Sequence, residues 1–262
     1  MICKICSSNS EIFSRAEILN KYSIQYFKCP ECGFIQTEEP YWLEEAYSEV
    51  INRSDIGLLA RNLELSKTTK AILLFLFDKR KKFLDYGAGY GVFVRLMRDF
   101  GFDFYWMDKY SGNLFAKDFE AKHSDKFELL TAYEVFEHLV QPVEEVANML
   151  RYSDNILFST FLIPSNEPKP EEWWYYALDH GQHIALHSRK SLEVLANKFG
   201  LNFYTNGKNL HLFSKKKKND FIFKTLSFPY VSGLLNPFLS KKSLLDNDYK
   251  LVVEKLKGKN LS

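Results

Sequence analysis

The chain has almost no charge imbalance: Lys and Arg total 35 against 33 for Asp and Glu, a net charge of +2. So even a balance supplies no global field for gripping a polyanion, which argues against nucleic acid as the partner. Also missing are a basic stretch followed by an apolar one at Met1-Ile2-Cys3-Lys4-Ile5-Cys6, as a secretory signal requires, and any uninterrupted apolar run long enough to span a bilayer. The expectation is a cytoplasmic enzyme. No internal repeat is visible, and cysteine does not occur after position 32. What is present in quantity is apolar surface. With 262 residues, 46% hydrophobic and 16% aromatic, the chain can build one main domain plus a small one and is not disordered.

The four cysteines form Cys3-x-x-Cys6 and Cys29-Pro30-Glu31-Cys32-Gly33. These are two tight knuckles in which backbone N–H groups support thiolates while both pairs converge on one ion. Four sulfurs make a closed tetrahedral site, so the ion is expected to be structural zinc, holding together a segment too short for a core of its own. Iron bound in the rubredoxin manner is the alternative, and disulfides are disfavoured in a reducing cytosol.

The most informative stretch is Asp85-Tyr86-Gly87-Ala88-Gly89-Tyr90-Gly91, placed behind the apolar Phe83-Leu84 and ahead of Val92-Phe93-Val94-Arg95-Leu96-Met97. It reads as a buried strand, a glycine turn open to a ligand, and a helix that starts with unpaired N–H groups and stops at Gly101. A second aromatic strand, Phe102 to Asp108, then ends in an acid at the distance where a carboxylate can hold a ribose diol. A dinucleotide fingerprint would need a third glycine at Val92. Asp85 would also repel a pyrophosphate, but it suits a cationic ligand.

The pattern Asp-x-Gly-x-Gly-x-Gly with an acid at the end of the next strand resembles the class I S-adenosylmethionine-dependent methyltransferases. The resemblance, extending over nearly the whole chain, is to bacterial members that carry an N-terminal four-cysteine ribbon and serve sugar and surface-polysaccharide biosynthesis. It implies Asp85 near the donor's ammonium, the backbone of Gly87, Ala88 and Gly89 at its methionine portion, and Asp108 on the ribose hydroxyls. It also implies Lys109 and Phe119 as adenine neighbours, with Tyr133 and Glu134 lining the methionine side.

Further along, strands around 82–85, 102–108, 127–133 and 155–161 alternate with helices 91–100, 142–151 and 189–199. A final pair of strands flanks Asn206-Gly207, a strong hairpin signal. The expected fold is α/β: a doubly wound, mostly parallel seven-stranded sheet with a terminal antiparallel hairpin, preceded by a small zinc ribbon. The expected domains are a ribbon at 1–40, a helical connecting or lid region at 41–78, the methyltransferase domain at 79–214 and a C-terminal arm at 215–262. In the lid region Asp55, Arg61 and Asn62 are either near substrate or on a solvated helix face. The arm joins Lys215 to Lys218 with aromatic segments around Phe221 and Phe228. Pro229 and Pro237 favour a packed arm that helps close the site over one resting on an anionic membrane surface.

Two segments offer catalytic groups. In Tyr133-Glu134-Val135-Phe136-Glu137-His138, one helical turn would put Glu134, Glu137 and His138 on one face, where they could bind a divalent ion. A similar arrangement occurs in RNA terminal-ribose methyltransferases and some quinone-precursor O-methyltransferases. The favoured reading is an ordinary strand-to-helix junction with Glu134 at the cofactor. Downstream, Trp173-Trp174-Tyr175-Tyr176 precede His180 and His183, with His187 beyond. Histidine is the natural base for deprotonating a hydroxyl, and aromatic faces can stack on a sugar ring. The catalytic residues expected are therefore His183, His180 and Glu134. The expected reaction is O-methylation of a small polar acceptor such as a nucleotide sugar or glycan. The rivals are a nucleic-acid methyltransferase or binding module, using a Glu/His metal site, and a non-catalytic scaffold.

Overall fold

The computed structural model describes residues 1–48, 55–239 and 241–259; the stretch of the expected lid at 49–54 lies outside the described residues. By their contacts the residues form two units, Met1–Asp55 with Ala132–Lys218 and Ile56–Thr131 with Asn219–Ser262.

The first unit opens with β1 (Glu11–Ile18), β2 (Tyr22–Lys28) and β3 (Ile35–Thr37), followed by the single turn α1 (Leu43–Ala46). The second unit begins with α2 (Leu58–Leu76), then β4 (Lys82–Tyr86), α3 (Val92–Asp99), β5 (Asp103–Met107) and β6 (Leu129–Ala132), whose last residue falls to the first unit. The chain continues in the first unit with α4 (Pro142–Leu150), β7 (Asn155–Ser159), β8 (Ala185–Leu186), α5 (Arg189–Lys198), β9 (Asn202–Thr205) and β10 (Leu210–Ser214). It ends in the second unit with α6 (Asp220–Leu226), α7 (Pro229–Leu235) and α8 (Leu245–Lys259).

The larger sheet has the order β5-β4-β6-β7-β10-β9. β4 pairs in parallel with both β5 and β6, while β10 pairs antiparallel with β7 and β9. β6 and β10 are buried at every position and Phe83 and Leu84 of β4 are fully buried, as in strands covered on both faces.

Among the described residues six strands form this sheet where seven were expected. The missing edge strand is reduced to one parallel bridge, Trp106 to Glu120, with the Trp106 amide on the Phe119 carbonyl at 2.8 Å and the Ala121 amide on the Trp106 carbonyl at 2.9 Å. The strands around Asn206-Gly207 pair antiparallel as the last two of the sheet, with β10 between β7 and β9, and the helices of the arm follow them.

The smaller sheet, β1-β2-β3-β8, draws its fourth strand from far along the chain: Ile35 pairs with Leu186 and Gln36 with Ala185. In the arm, Pro229 sits in the first turn of α7, where its missing N–H costs nothing. α8 is tied down in its own unit by Asp248, which receives two hydrogen bonds from Arg98, Nε to Oδ2 at 2.8 Å and a terminal nitrogen to Oδ1 at 2.7 Å. Both side chains are buried, and the same guanidinium also reaches Asp103 at 2.7 Å.

Candidate active site

In the second unit, β4 delivers Asp85 into a buried position where the Thr131 hydroxyl donates to its Oδ1 at 2.6 Å. Burial pushes this carboxyl up to about 7, and the nearby Asp108 charge adds to the shift. Past Asp85 the chain turns with positive φ at Gly87, Gly89 and Gly91. The turn is strapped to β5: the Gly87 and Ala88 amides donate to the Met107 carbonyl at 2.9 and 3.2 Å, and the Trp106 indole donates to the Gly89 carbonyl at 2.8 Å. Gly91 caps α3 at φ +87°, where a Cβ would press on Ala116 and Asn113 at 3.0–3.2 Å, so this position requires glycine for space as well as conformation. In front of Gly89, by contrast, a Cβ would meet nothing within 4 Å.

Asp108 closes the turn. Its Oδ2 accepts from the Gly89 amide at 2.8 Å, and its Oδ1 from the amides of Tyr110 and Ser111, both at 2.7 Å. A carboxylate has about four acceptor sites, so Asp108 keeps capacity for one further donor while holding the loop. Lys109 is exposed, with its ammonium 5.2 Å from the Tyr110 ring centre. Phe119 is buried, and the Arg98 guanidinium covers one face of its ring at 3.7 Å. Arg61 and Asn62 lie on the first turns of α2, half-buried, and the Asn62 side chain donates to the Leu58 carbonyl at 2.8 Å.

In the first unit the chain leaves β6 through Tyr133 and reaches Glu134 at φ +53°, a left-handed conformation costly for a glutamate. Ser159 at the end of β7 holds it on both sides: the Glu134 amide donates to Ser159 Oγ at 2.8 Å and Ser159 Oγ donates to Glu134 Oε1 at 2.6 Å. The alternative that put Glu134, Glu137 and His138 on one helical face does not form. Only Phe136–His138 makes a turn, of the tight 3₁₀ kind, and Glu134 stands outside it.

What the fold brings together instead is Glu137, His138 and His183, one ligand atom of each lying within 4.8 Å of the others. The Ile184 amide donates to the Glu137 carbonyl at 2.9 Å, a backbone bond that carries His183 to this place. His138 Nδ1 lies 3.1 Å from the Gln182 carbonyl and 3.0 Å from the Tyr47 hydroxyl, and His183 Nδ1 lies 2.7 Å from the Tyr175 carbonyl. The His180 and His183 rings sit 5.2 Å apart, and the His180 Nδ1 receives the Gln182 amide at 3.3 Å. Burial pushes Glu137 up to about 8, with Glu134 adding to it, and holds His138 down at about 4; His180 is lowered for the same reason. Asp55, in the same unit, works against the lowering of His180. Sequence reasoning placed His183 among the bases but did not join it to Glu137, because no local pattern links residues that far apart. His187, by contrast, is buried against Phe34 and Phe136 as a core residue.

In the same unit, past the end of β7, lies an open pocket of about 660 Å³ walled by Phe161, Trp173 and Trp174 and edged by Arg189 and Lys208. Trp174 is 70% exposed, a large indole face left open to a ligand.

The cysteines also converge. Cys3 and Cys32 sulfurs lie 3.6 Å apart, Cys6 and Cys29 sulfurs 3.3 Å apart, and all four lie within 4.8 Å of one another with no disulfide. Four sulfurs at about 2.3 Å from a central zinc ion would be about 3.8 Å apart, so the set fits such an ion. The Ile5 amide supports the Cys3 sulfur at 3.4 Å. The thiol of Cys32 holds Cys3 down to about 5, and the same contact pushes Cys32 up.

No curated protein sequence matches the chain. Among solved structures it is similar to the plantazolicin methyltransferase BpumL in complex with SAH, at 14% identity and TM-score 0.45 over 68% of this chain and 94% of that one. It is also similar to an O-methyltransferase family 2 protein from Planctomyces limnophilus in complex with apigenin, at 16% identity and TM-score 0.42 over 66% and 65%. An O-methyltransferase family protein from Burkholderia thailandensis gives 8% identity and TM-score 0.46 over 67% and 63%. A family model described as a methyltransferase domain matches residues 59–206, more than half of the 262 residues, and the chain belongs to that methyltransferase family.

Proposed function

We propose that the protein transfers the methyl group of S-adenosylmethionine to a hydroxyl of a small polar acceptor such as a nucleotide-linked sugar or a glycan intermediate. The observation that carries the donor half is the strapped turn: a buried acid at its start, open space in front of Gly89, and Asp108 with one acceptor site to spare. An ammonium beside Asp85 would draw its carboxyl into the charged form, and a ribose hydroxyl would take the remaining site on Asp108. Lys109 and Phe119 remain the adenine neighbours in this reading, and Tyr133 and Glu134 stay assigned to the donor.

The acceptor half rests on the histidines and the aromatic cavity. In the reaction the acceptor oxygen bonds the methyl carbon as the carbon–sulfur bond breaks. Its electron pair stays on sulfur, giving S-adenosylhomocysteine, and the acceptor's proton passes to a histidine. His180 and His183 are the bases in reach of each other, and burial keeps His180 in the neutral form a base needs. Indole and phenyl faces suit a sugar ring, and Arg189 with Lys208 suit a phosphate linked to it. Cys3, Cys6, Cys29 and Cys32 would hold a structural zinc ion, with no open position for chemistry.

Labelled methyl transfer from S-adenosylmethionine to a panel of nucleotide sugars and free glycans tests this reading. Product with a nucleotide sugar, reduced at least a hundredfold in His180→Ala and abolished in Asp85→Asn, is the expected result. Transfer to RNA alone would overturn the acceptor assignment.

A further inference from the structure

We propose that Glu137, His138 and His183 form a binding site for one divalent transition-metal cation, separate from the four-cysteine cluster. The three candidate ligand atoms already lie within 4.8 Å of one another. Ligands on one ion at about 2.0–2.2 Å stand roughly 3.0–3.5 Å apart, so small side-chain rotations complete the set.

Two independent observations point to a cation. The Glu137 side chain is fully buried, and neither of its carboxylate oxygens has a hydrogen-bond partner among the described residues. The Thr160 and Tyr175 hydroxyls lie close enough to favour the charged form of this carboxyl, but the bond they make is to each other, at 3.1 Å. Buried polar atoms left without partners are rare and need an explanation, and a bound cation supplies one. The second observation is the outer contact of each histidine. Nδ1 of His138 faces the Gln182 carbonyl, with the Tyr47 hydroxyl also at 3.0 Å, and Nδ1 of His183 faces the Tyr175 carbonyl; a ring that donates from Nδ1 to a carbonyl presents its lone pair on Nε2. Metal-ligating histidines are oriented in this way.

Glu134 is not part of the set, since its carboxylate accepts from Ser159 at 2.6 Å. Two imidazoles and one carboxylate suit zinc, manganese(II) or iron(II), and three protein ligands leave positions open to a water or to an alcohol. Where the proposed methyl transfer holds, and only there, the ion gives the site a second task. It can bind the acceptor's hydroxyl, with His183 engaged as a ligand and His180 left as the proton acceptor.

The test is a titration of the zinc-loaded full chain with Mn²⁺, following free Mn²⁺ by electron paramagnetic resonance. Manganese disfavours thiolates and leaves the cysteine cluster to its zinc. One saturable Mn²⁺ per chain is expected, weakened at least tenfold in Glu137→Gln and in His183→Ala, with ribbon zinc still at one equivalent in both. In the wild type, bound Mn²⁺ should broaden the ring signals of His138 and His183 and spare those of His123; this readout needs no variant. Absence of a saturable site below about 1 mM, or broadening confined to His123, overturns the proposal. S-adenosylhomocysteine binding measured on the same samples reports separately on the methyltransferase reading. Donor binding without Mn²⁺ binding removes the cation alone, and Mn²⁺ binding without donor binding removes the reaction alone.

Discussion

The backbone amide of Gly89 donates to the carboxylate of Asp108 at 2.8 Å, so the residue expected to hold a ribose also holds the turn proposed to face the donor. Loop shape and ligand contact therefore depend on the same side chain. Hydrogen bonds to a charged acceptor contribute about 1.5–3 kcal/mol each, and Asp108 accepts three from the backbone. Asp108→Ala should lower stability by about 2–4 kcal/mol and weaken S-adenosylhomocysteine binding at least a hundredfold. Asp108→Asn should keep much of the stability and still lose most of the affinity. Denaturant unfolding and calorimetry on the two variants separate the effects, and equal losses in both would contradict the dual role.

Asp248 anchors the C-terminal helix to Arg98 through two short hydrogen bonds between buried groups. Removing one partner of a buried pair costs about 3–5 kcal/mol where the other charge is left uncompensated, but Arg98 would keep Asp103 at 2.7 Å. Asp248→Ala should therefore destabilise the protein by less than that, about 2–3 kcal/mol measured by urea unfolding, and should raise hydrogen exchange along Leu245–Lys259 first. The double variant Arg98→Met with Asp248→Leu should recover much of the loss.

Buried and half-buried groups push the pH dependence of stability in opposing directions. Burial pushes Asp85 up to about 7 and Glu137 up to about 8, while it pushes His138 and His187 down to about 4, His211 down to about 3, and His180 down as well. A raised acid loses its contribution as pH rises from the unfolded carboxyl value toward the folded one, because the unfolded chain ionises first. A depressed histidine loses its contribution as pH falls from about 6.5 toward the folded value, because the unfolded chain takes up the proton first. Between about pH 4 and 6.5 the lowered histidines outnumber the two raised acids, so stability rises with pH. Above about 6.5 only the acids titrate and the slope reverses. Stability of the donor-free and cation-free protein should peak near neutrality on the acid side, and a maximum above pH 8 would contradict this assignment.

Zinc in the cysteine cluster should act beyond the ribbon. β3 pairs with β8, and the Ser188 hydroxyl donates to the Cys32 carbonyl at 2.5 Å, just past His183 in the chain. Stripping the ion, or Cys29→Ser, should raise amide exchange at Ala185 and Leu186 and reduce turnover. Unchanged exchange at β8 with the ion removed would show that the cluster is energetically isolated from the histidines.

Much of the donor turn was legible because its chemistry is local. Asp85, the three glycines and Asp108 sit on one strand–turn–helix–strand segment, and spacing alone fixes their relation. The cysteine pairs were legible for the same reason, and Asn206-Gly207 announced its strand pair. The seventh strand was not, since whether Glu120 makes a bridge or a strand depends on what its neighbours can bury. Nor was the meeting of Glu137 with His183, which follows from the Ile184-to-Glu137 backbone bond. β8 was hidden by its length of two residues, too short to show any alternation.

The central claim is that the turn after Asp85 binds S-adenosylmethionine. Thermal unfolding of zinc-loaded protein with S-adenosylhomocysteine or NAD, repeated with Asp85→Asn, tests it most directly. A ligand at a hundredfold excess over its dissociation constant contributes about 2.7 kcal/mol, enough to raise Tm by several degrees. The account predicts that rise with S-adenosylhomocysteine, none with NAD, and none in the variant. A rise with NAD alone, or no rise with S-adenosylhomocysteine in the millimolar range, would contradict it.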